Sequence, residues 1–137
     1  MQLLTLFTLG LIAGSLIKLA DDITDKNLPL NRAFAVPFGL AYGLVMGYLM
    51  INDADAAILF GGIVIGCLVT GKINSTGHYF GLAALLIVLF LYGIKIPPLV
   101  LPVAALAALD ELKDALPLPG IIFEYRLFLK LGILALV

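Results

Sequence analysis

The sequence predicts an all-α integral membrane protein of about six transmembrane helices, packed as a compact, glycine-rich bundle. Three observations lead there. Hydrophobic residues fill 63% of the 137 positions and charged residues 12%, and the mean hydropathy is +1.17. A soluble domain of this size has too much surface for its volume to hide so many apolar side chains. The apolar residues run continuously instead of alternating, which suits helices and argues against a membrane barrel. Glycines recur at four-residue spacing, at Gly10 and Gly14, at Gly39, Gly43 and Gly47, and at Gly62 and Gly66. That spacing lets helix backbones approach closely. Packing inside one bundle accounts for it without a dedicated dimer face, and a homo-oligomer stays open.

Measured against the roughly 20 residues needed to cross the hydrocarbon, the apolar segments are 2–20, 35–51, 56–73, 79–94, 97–109 and 121–137. The first lacks a basic leader and a small-residue cleavage site, so it reads as a retained helix and not a signal peptide. The fifth is short and loaded at its start with Pro97, Pro98 and Pro102. Proline is tolerated at a helix start, but Pro102 is expected to kink or delay this one. The sixth carries Glu124, Arg126 and Lys130 and either spans or lies at the interface. The chain reads as one transmembrane domain, 1–137. Leu19-Ala-Asp-Asp-Ile-Thr-Asp25 and Ala108-Leu-Asp-Glu-Leu-Lys-Asp114 each close an apolar segment and precede prolines. That suggests repeated halves around 1–73 and 79–137, an arrangement in which membrane proteins often place a site between repeats.

With six alternating spans, the connections after the first, third and fifth share one side. That side receives Asp21, Asp22, Asp25, Lys26, Arg32, Lys72, Asn74, Ser75, His78, Asp110, Glu111, Lys113, Asp114, Glu124 and Arg126, and the other only Asp53, Asp55 and Lys95. The Lys and Arg bias makes the acidic-motif side cytoplasmic. The net charge of −1 gives no reason to expect nucleic acid. Cys67 is the only cysteine, so there is no disulfide framework, and no zinc spacing, thiol–histidine pair or phosphate-binding glycine loop is present.

The chemistry concentrates in two acidic clusters. On a helix Asp21 and Asp25 are i,i+4 and Asp22 and Asp25 i,i+3, with Lys18 one turn earlier; Asp110 and Asp114 repeat the i,i+4 spacing. Carboxylates so close repel one another unless a cation sits between them. Mg²⁺ is the natural candidate, because it bridges one or two carboxylates to phosphate oxygens. The expected metal ligands are therefore Asp21, Asp22, Asp25, Asp110 and Asp114. The plainer alternative leaves these acids in headgroup water, paired with Lys18, Lys26 and Lys113. If the sixth segment spans, Lys130 lies about 15 Å along it, near mid-depth, where an ionisable group is a functional candidate. Arg126, i,i+4 from it, would complete an anion site; the alternative is a snorkelling lysine. His78, in a turn-like connection, is a candidate for catalysis or simply a polar loop residue. Tyr42, Tyr48, Tyr79 and Tyr92 read as interface anchors or packing.

Asp21-Asp-Ile-Thr-Asp25, followed by Leu28-Pro-Leu-Asn-Arg32 and an apolar span, resembles the Asp-Asp block of the membrane polyprenyl-phosphate sugar-1-phosphate transferases. Asn74-Ser-Thr-Gly-His-Tyr-Phe-Gly-Leu-Ala83 resembles that family's Asn-x-x-Asp-Gly-x-Asp-Gly-Leu-Ala block, with Gly77 and Phe80 where the family carries its two aspartates. Pro98-Leu-Val-Leu-Pro102 leading to Asp110 resembles a later apolar-proline-Asp stretch. The likeness touches about a third of a chain less than half the family's usual length. It implies metal or phosphate contact at Asp21, Asp22 and Asn74. A more distant likeness, to intramembrane prenyltransferases of the ubiquinone-pathway type, implies that Asp21/Asp22/Asp25 and Asp110/Asp114 serve as two Mg²⁺–diphosphate motifs.

The expected function is a Mg²⁺-dependent membrane enzyme acting on a polyprenyl- or other lipid-phosphate substrate at the cytoplasmic face. Asp21, Asp22, Asp110 and His78 are its expected catalytic residues, and Lys18, Asn74, Arg126 and Lys130 its substrate contacts. The alternatives are a small ion- or proton-coupled transporter or channel using the acidic clusters and Lys130, and a packing subunit without chemistry.

Overall fold

The computed structural model describes residues 2–25, 29–93, 96–112, 119–120, 123 and 125–136. Lys26, Lys95, Lys113, Asp114 and Glu124 lie outside the described residues. Among the described residues the regular structure is helical throughout, with no strand: α1 (Leu3–Thr24), a 3-10 turn (Arg32–Phe34), α2 (Ala35–Asn52), α3 (Ala54–Val69), α4 (Thr76–Tyr92), α5 (Val100–Asp110) and α6 (Leu127–Leu136). Two stretches, Leu3–Thr24 and Arg32–Asn52, are long and apolar enough to cross a membrane, whereas α3, α4 and α5 are apolar but shorter.

Two boundaries matter for the site. The first helix continues to Thr24, past the end of its apolar segment, so Asp21 and Asp22 are helical; the N–H of Asp25 closes it onto the Asp21 carbonyl at 2.8 Å. Pro102 breaks nothing. The fifth helix starts late, at Val100, with turns from Pro97 and Pro98 leading into it. Pro102 is then its third residue, where the missing N–H is one of the first four that lack an intrahelical acceptor in any case.

The chain forms two compact units interleaved in sequence, one from Met1–Ala54 with Ile73–Lys95, the other from Asp55–Lys72 with Ile96–Val137. The first contains α1, α2 and α4. Its glycine stripe meets a second one. A Cβ on Gly39 would strike the carbonyl of Gly77, one on Gly43 the carbonyl of Gly81, and one on Gly47 the Val88 side chain at 2.8 Å. The rising register means that α2 and α4 run parallel, backbone against backbone. At the start of α4, Gly77 abuts the Ala35 carbonyl (3.0 Å from a built Cβ) and the Ala20 methyl (3.4 Å). The last turn of α1 and the first turns of α2 and α4 therefore share one end. Along α1, by contrast, Gly10 and Gly14 meet nothing, and Leu3, Leu4, Phe7 and Leu11 are all exposed.

The second unit uses the same device. Gly62 accommodates Val103, Gly66 accommodates Ala104 and Ala107, so α3 and α5 are parallel as well, and Gly132 of α6 accepts Leu106. Val103, Ala107 and Leu129 form its buried core, with Ile58, Ile63, Leu106 and Ile133 packed around it. The third helix ends in a Schellman turn: Gly71 has φ +69°, and the N–H groups of Gly71 and Lys72 reach the carbonyls of Leu68 and Cys67 at 3.2 and 2.9 Å. Glycine supplies that left-handed turn without steric cost. It leaves Lys72 just beyond the helix end.

Candidate functional site

The first unit assembles a linear hydrogen-bonded chain at its polar end. Ser75 caps α4, its Oγ accepting from the N–H of His78 at 3.3 Å. Serine at this position satisfies an otherwise orphaned donor, and here it fixes His78 in the first helical turn. The imidazole Nε2 lies 2.8 Å from Asp21 Oδ1. The other ring nitrogen, Nδ1, lies 3.0 Å from the Tyr42 hydroxyl, with the two rings edge-on at 68°. Tyr42 is buried, and its hydroxyl is also 3.5 Å from the Gly77 carbonyl. Asp21 is the most open member, with its side chain 38% exposed against 20% for His78.

The donor inventory fixes the protons. An ionised Asp21 can only accept, so Nε2 carries a hydrogen. In the neutral ring Nδ1 is then a lone pair, and Tyr42 donates to it. A second proton on the ring has to settle on Nδ1, where the phenol oxygen can accept it while its own O–H turns to Gly77. Both ring nitrogens are thus engaged within the protein, and the more open oxygens of the chain belong to Asp21.

One turn earlier, Lys18 Nζ is 2.8 Å from Asp22 Oδ1. The lysine is 71% exposed, and an open i,i+4 pair of this kind adds little to stability. Asp25 and Asn74 are exposed at the same end of the unit. Asp21 with His78, and Asp22 with Lys18, are thus brought together. Among the described residues, no three His, Cys, Asp or Glu side chains are grouped to hold a metal. Asp21 faces an imidazole and Asp22 an ammonium in this arrangement.

In the second unit Asp110 is buried, and its two oxygens accept from the backbone N–H groups of Phe128 (3.1 Å) and Leu129 (2.7 Å). These are the second and third residues of α6, which has no Ser, Thr, Asp or Asn directly before it; Asp110 caps it from another helix. Glu111 lies between Arg126 (3.0 Å) and Lys72 (3.7 Å), with Arg126 in the left-handed region at φ 49°. The guanidinium is therefore engaged by Glu111, whereas Lys130 is exposed on α6.

At Gly77 a built Cβ would sit tightly, 3.0 Å from the Ala35 carbonyl oxygen and 3.4 Å from the Ala20 methyl. Tyr42, which the sequence suggests only as an anchor or packing residue, is the member not expected at the site. Its one signal was a bulky polar-tipped residue set between Gly39 and Gly43. No protein-family model, curated protein or solved structure matches the chain.

Proposed function

We propose that the chain is a multi-pass membrane protein whose first unit carries an acid–base site for a phosphorylated lipid, at the cytoplasmic face. The observation that carries this reading is the Asp21–His78–Tyr42 chain at the shared end of α1, α2 and α4. The exposed apolar face of α1 supports the membrane setting, since soluble monomers rarely leave such patches open. Asp21 is the group that exchanges a proton with the reacting partner, His78 backs it, and Lys18 attracts the phosphate, with Asn74 nearby. No step is assigned to Mg²⁺; the same assay with and without a chelator reports whether turnover requires it.

The test uses the purified full chain in micelles with polyprenyl monophosphate and diphosphate, followed by ³¹P NMR. Wild type is expected to broaden both lipid signals and to convert the diphosphate to monophosphate and inorganic phosphate, water attacking the terminal phosphorus, the P–O–P bridge breaking and Asp21 taking the proton. Asp21→Asn and His78→Gln should each slow conversion by about 100-fold or more, the usual worth of a positioned acid–base group. Lipid signals untouched by wild type, or full turnover by both variants, would rule the reading out.

A second reading rests on the direction of the chain, which leads from open Asp21 inward to buried Tyr42: a proton path serving transport. Proton flux into proteoliposomes that needs no lipid phosphate, and that both substitutions abolish, favours it over the enzyme.

A further inference from the structure

We infer that Tyr42 is a positioning residue of this site, its hydroxyl holding the His78 ring at Nδ1. The inference rests on reading Asp21–His78 as the functional centre. A buried tyrosine needs a partner for its O–H, and the 3.0 Å contact to Nδ1 is better than that to the Gly77 carbonyl at 3.5 Å. Asp21 decides which nitrogen carries the first proton, because a carboxylate only accepts. Tyr42 decides nothing about the tautomer; as both donor and acceptor, it follows. A phenylalanine would leave Nδ1 without that partner.

The backbone is arranged to bring that hydroxyl into place. Gly39 and Gly43 flank Tyr42 and let α2 lie against the carbonyls of Gly77 and Gly81, while the Tyr42 ring covers Gly81, where any side chain would collide with it. Four glycines therefore surround one tyrosine. Helix packing alone explains the glycines facing backbone. It does not explain why the space over Gly81 is filled by a phenol whose oxygen ends on an imidazole.

His78 is the only histidine, so ¹⁵N-histidine labelling of the full chain in micelles reports this one ring. In wild type at a pH where the ring is neutral, Nε2 should be protonated and Nδ1 should show the upfield displacement of a hydrogen-bonded, unprotonated nitrogen. Tyr42→Phe should move Nδ1 downfield to its unbonded position and leave Nε2 protonated. A wild-type Nδ1 already at the unbonded position, or one that Tyr42→Phe does not move, overturns the inference; should the variant not fold, the wild-type spectrum alone decides. The ring spectrum does not depend on turnover. A hydrogen-bonded Nδ1 in a protein that ignores lipid phosphate defeats the proposed function and leaves the role of Tyr42 standing.

Discussion

Two aspartates that follow the same apolar lead-in, Ala20-Asp21 and Leu109-Asp110, end in different work. Asp21 remains open and holds an imidazole; Asp110 is buried and closes the end of α6. Nothing in the two motifs separates them, because the difference lies in partners 57 and 18 positions further along the chain (78 − 21; 128 − 110). The acidic clusters were legible, but the capping role was not. Hydrogen bonds to a charged acceptor are worth about 1.5–3 kcal/mol, and removing this acceptor strands two N–H groups. Asp110→Ala is expected to lower stability by about 2 kcal/mol, read from thermal unfolding in detergent, while the His78 ring spectrum stays as in wild type. Lost lipid-phosphate turnover at unchanged stability would return Asp110 to the metal chemistry its sequence suggested.

Glycine spacing shows the same limit among the helices. Gly10/Gly14 and Gly39/Gly43 are the same motif in sequence, and helix packing was the correct expectation for the second pair within the first unit. Only the second pair has a neighbour, since a motif states that a close approach is affordable and not what approaches. The consequence is measurable. Gly43→Ala forces a methyl group against the Gly81 carbonyl, and backbone cannot step aside as a flexible side chain can. Overpacking of this kind costs about 1–3 kcal/mol. Gly10→Ala enters open space and gains up to about 1 kcal/mol of helix propensity. Unfolding temperatures in one detergent should fall for Gly43→Ala and hold or rise for Gly10→Ala. Equal losses in both would mean that α1 packs through Gly10 as tightly as α2 packs through Gly43.

The helical class and the order of the elements were legible because continuous apolar runs leave few other forms, whereas span number was not, because helix length is settled by caps and prolines. At 1.5 Å per residue α1 is about 33 Å long and α2 about 27 Å, against a hydrocarbon core of about 30 Å; α5 and α6 reach only about 16 and 15 Å. The proposed topology therefore rests on α1 and α2, and it can be tested at α2, the helix that carries Tyr42. Leu30 precedes α2 and Ala54 follows it, and both are exposed. Cys67 is the only thiol to remove. In a Cys67→Ala background, a membrane-impermeant maleimide applied to intact cells should label Ala54→Cys, and should label Leu30→Cys only after lysis. The bias of Lys and Arg to the Leu30 side sets that direction. Labelling in the opposite order would invert the protein and turn the Asp21–His78–Tyr42 end outward, away from cytoplasmic lipid phosphates. Equal labelling of both positions in intact cells would mean that α2 does not span, and the membrane reading would fall with it.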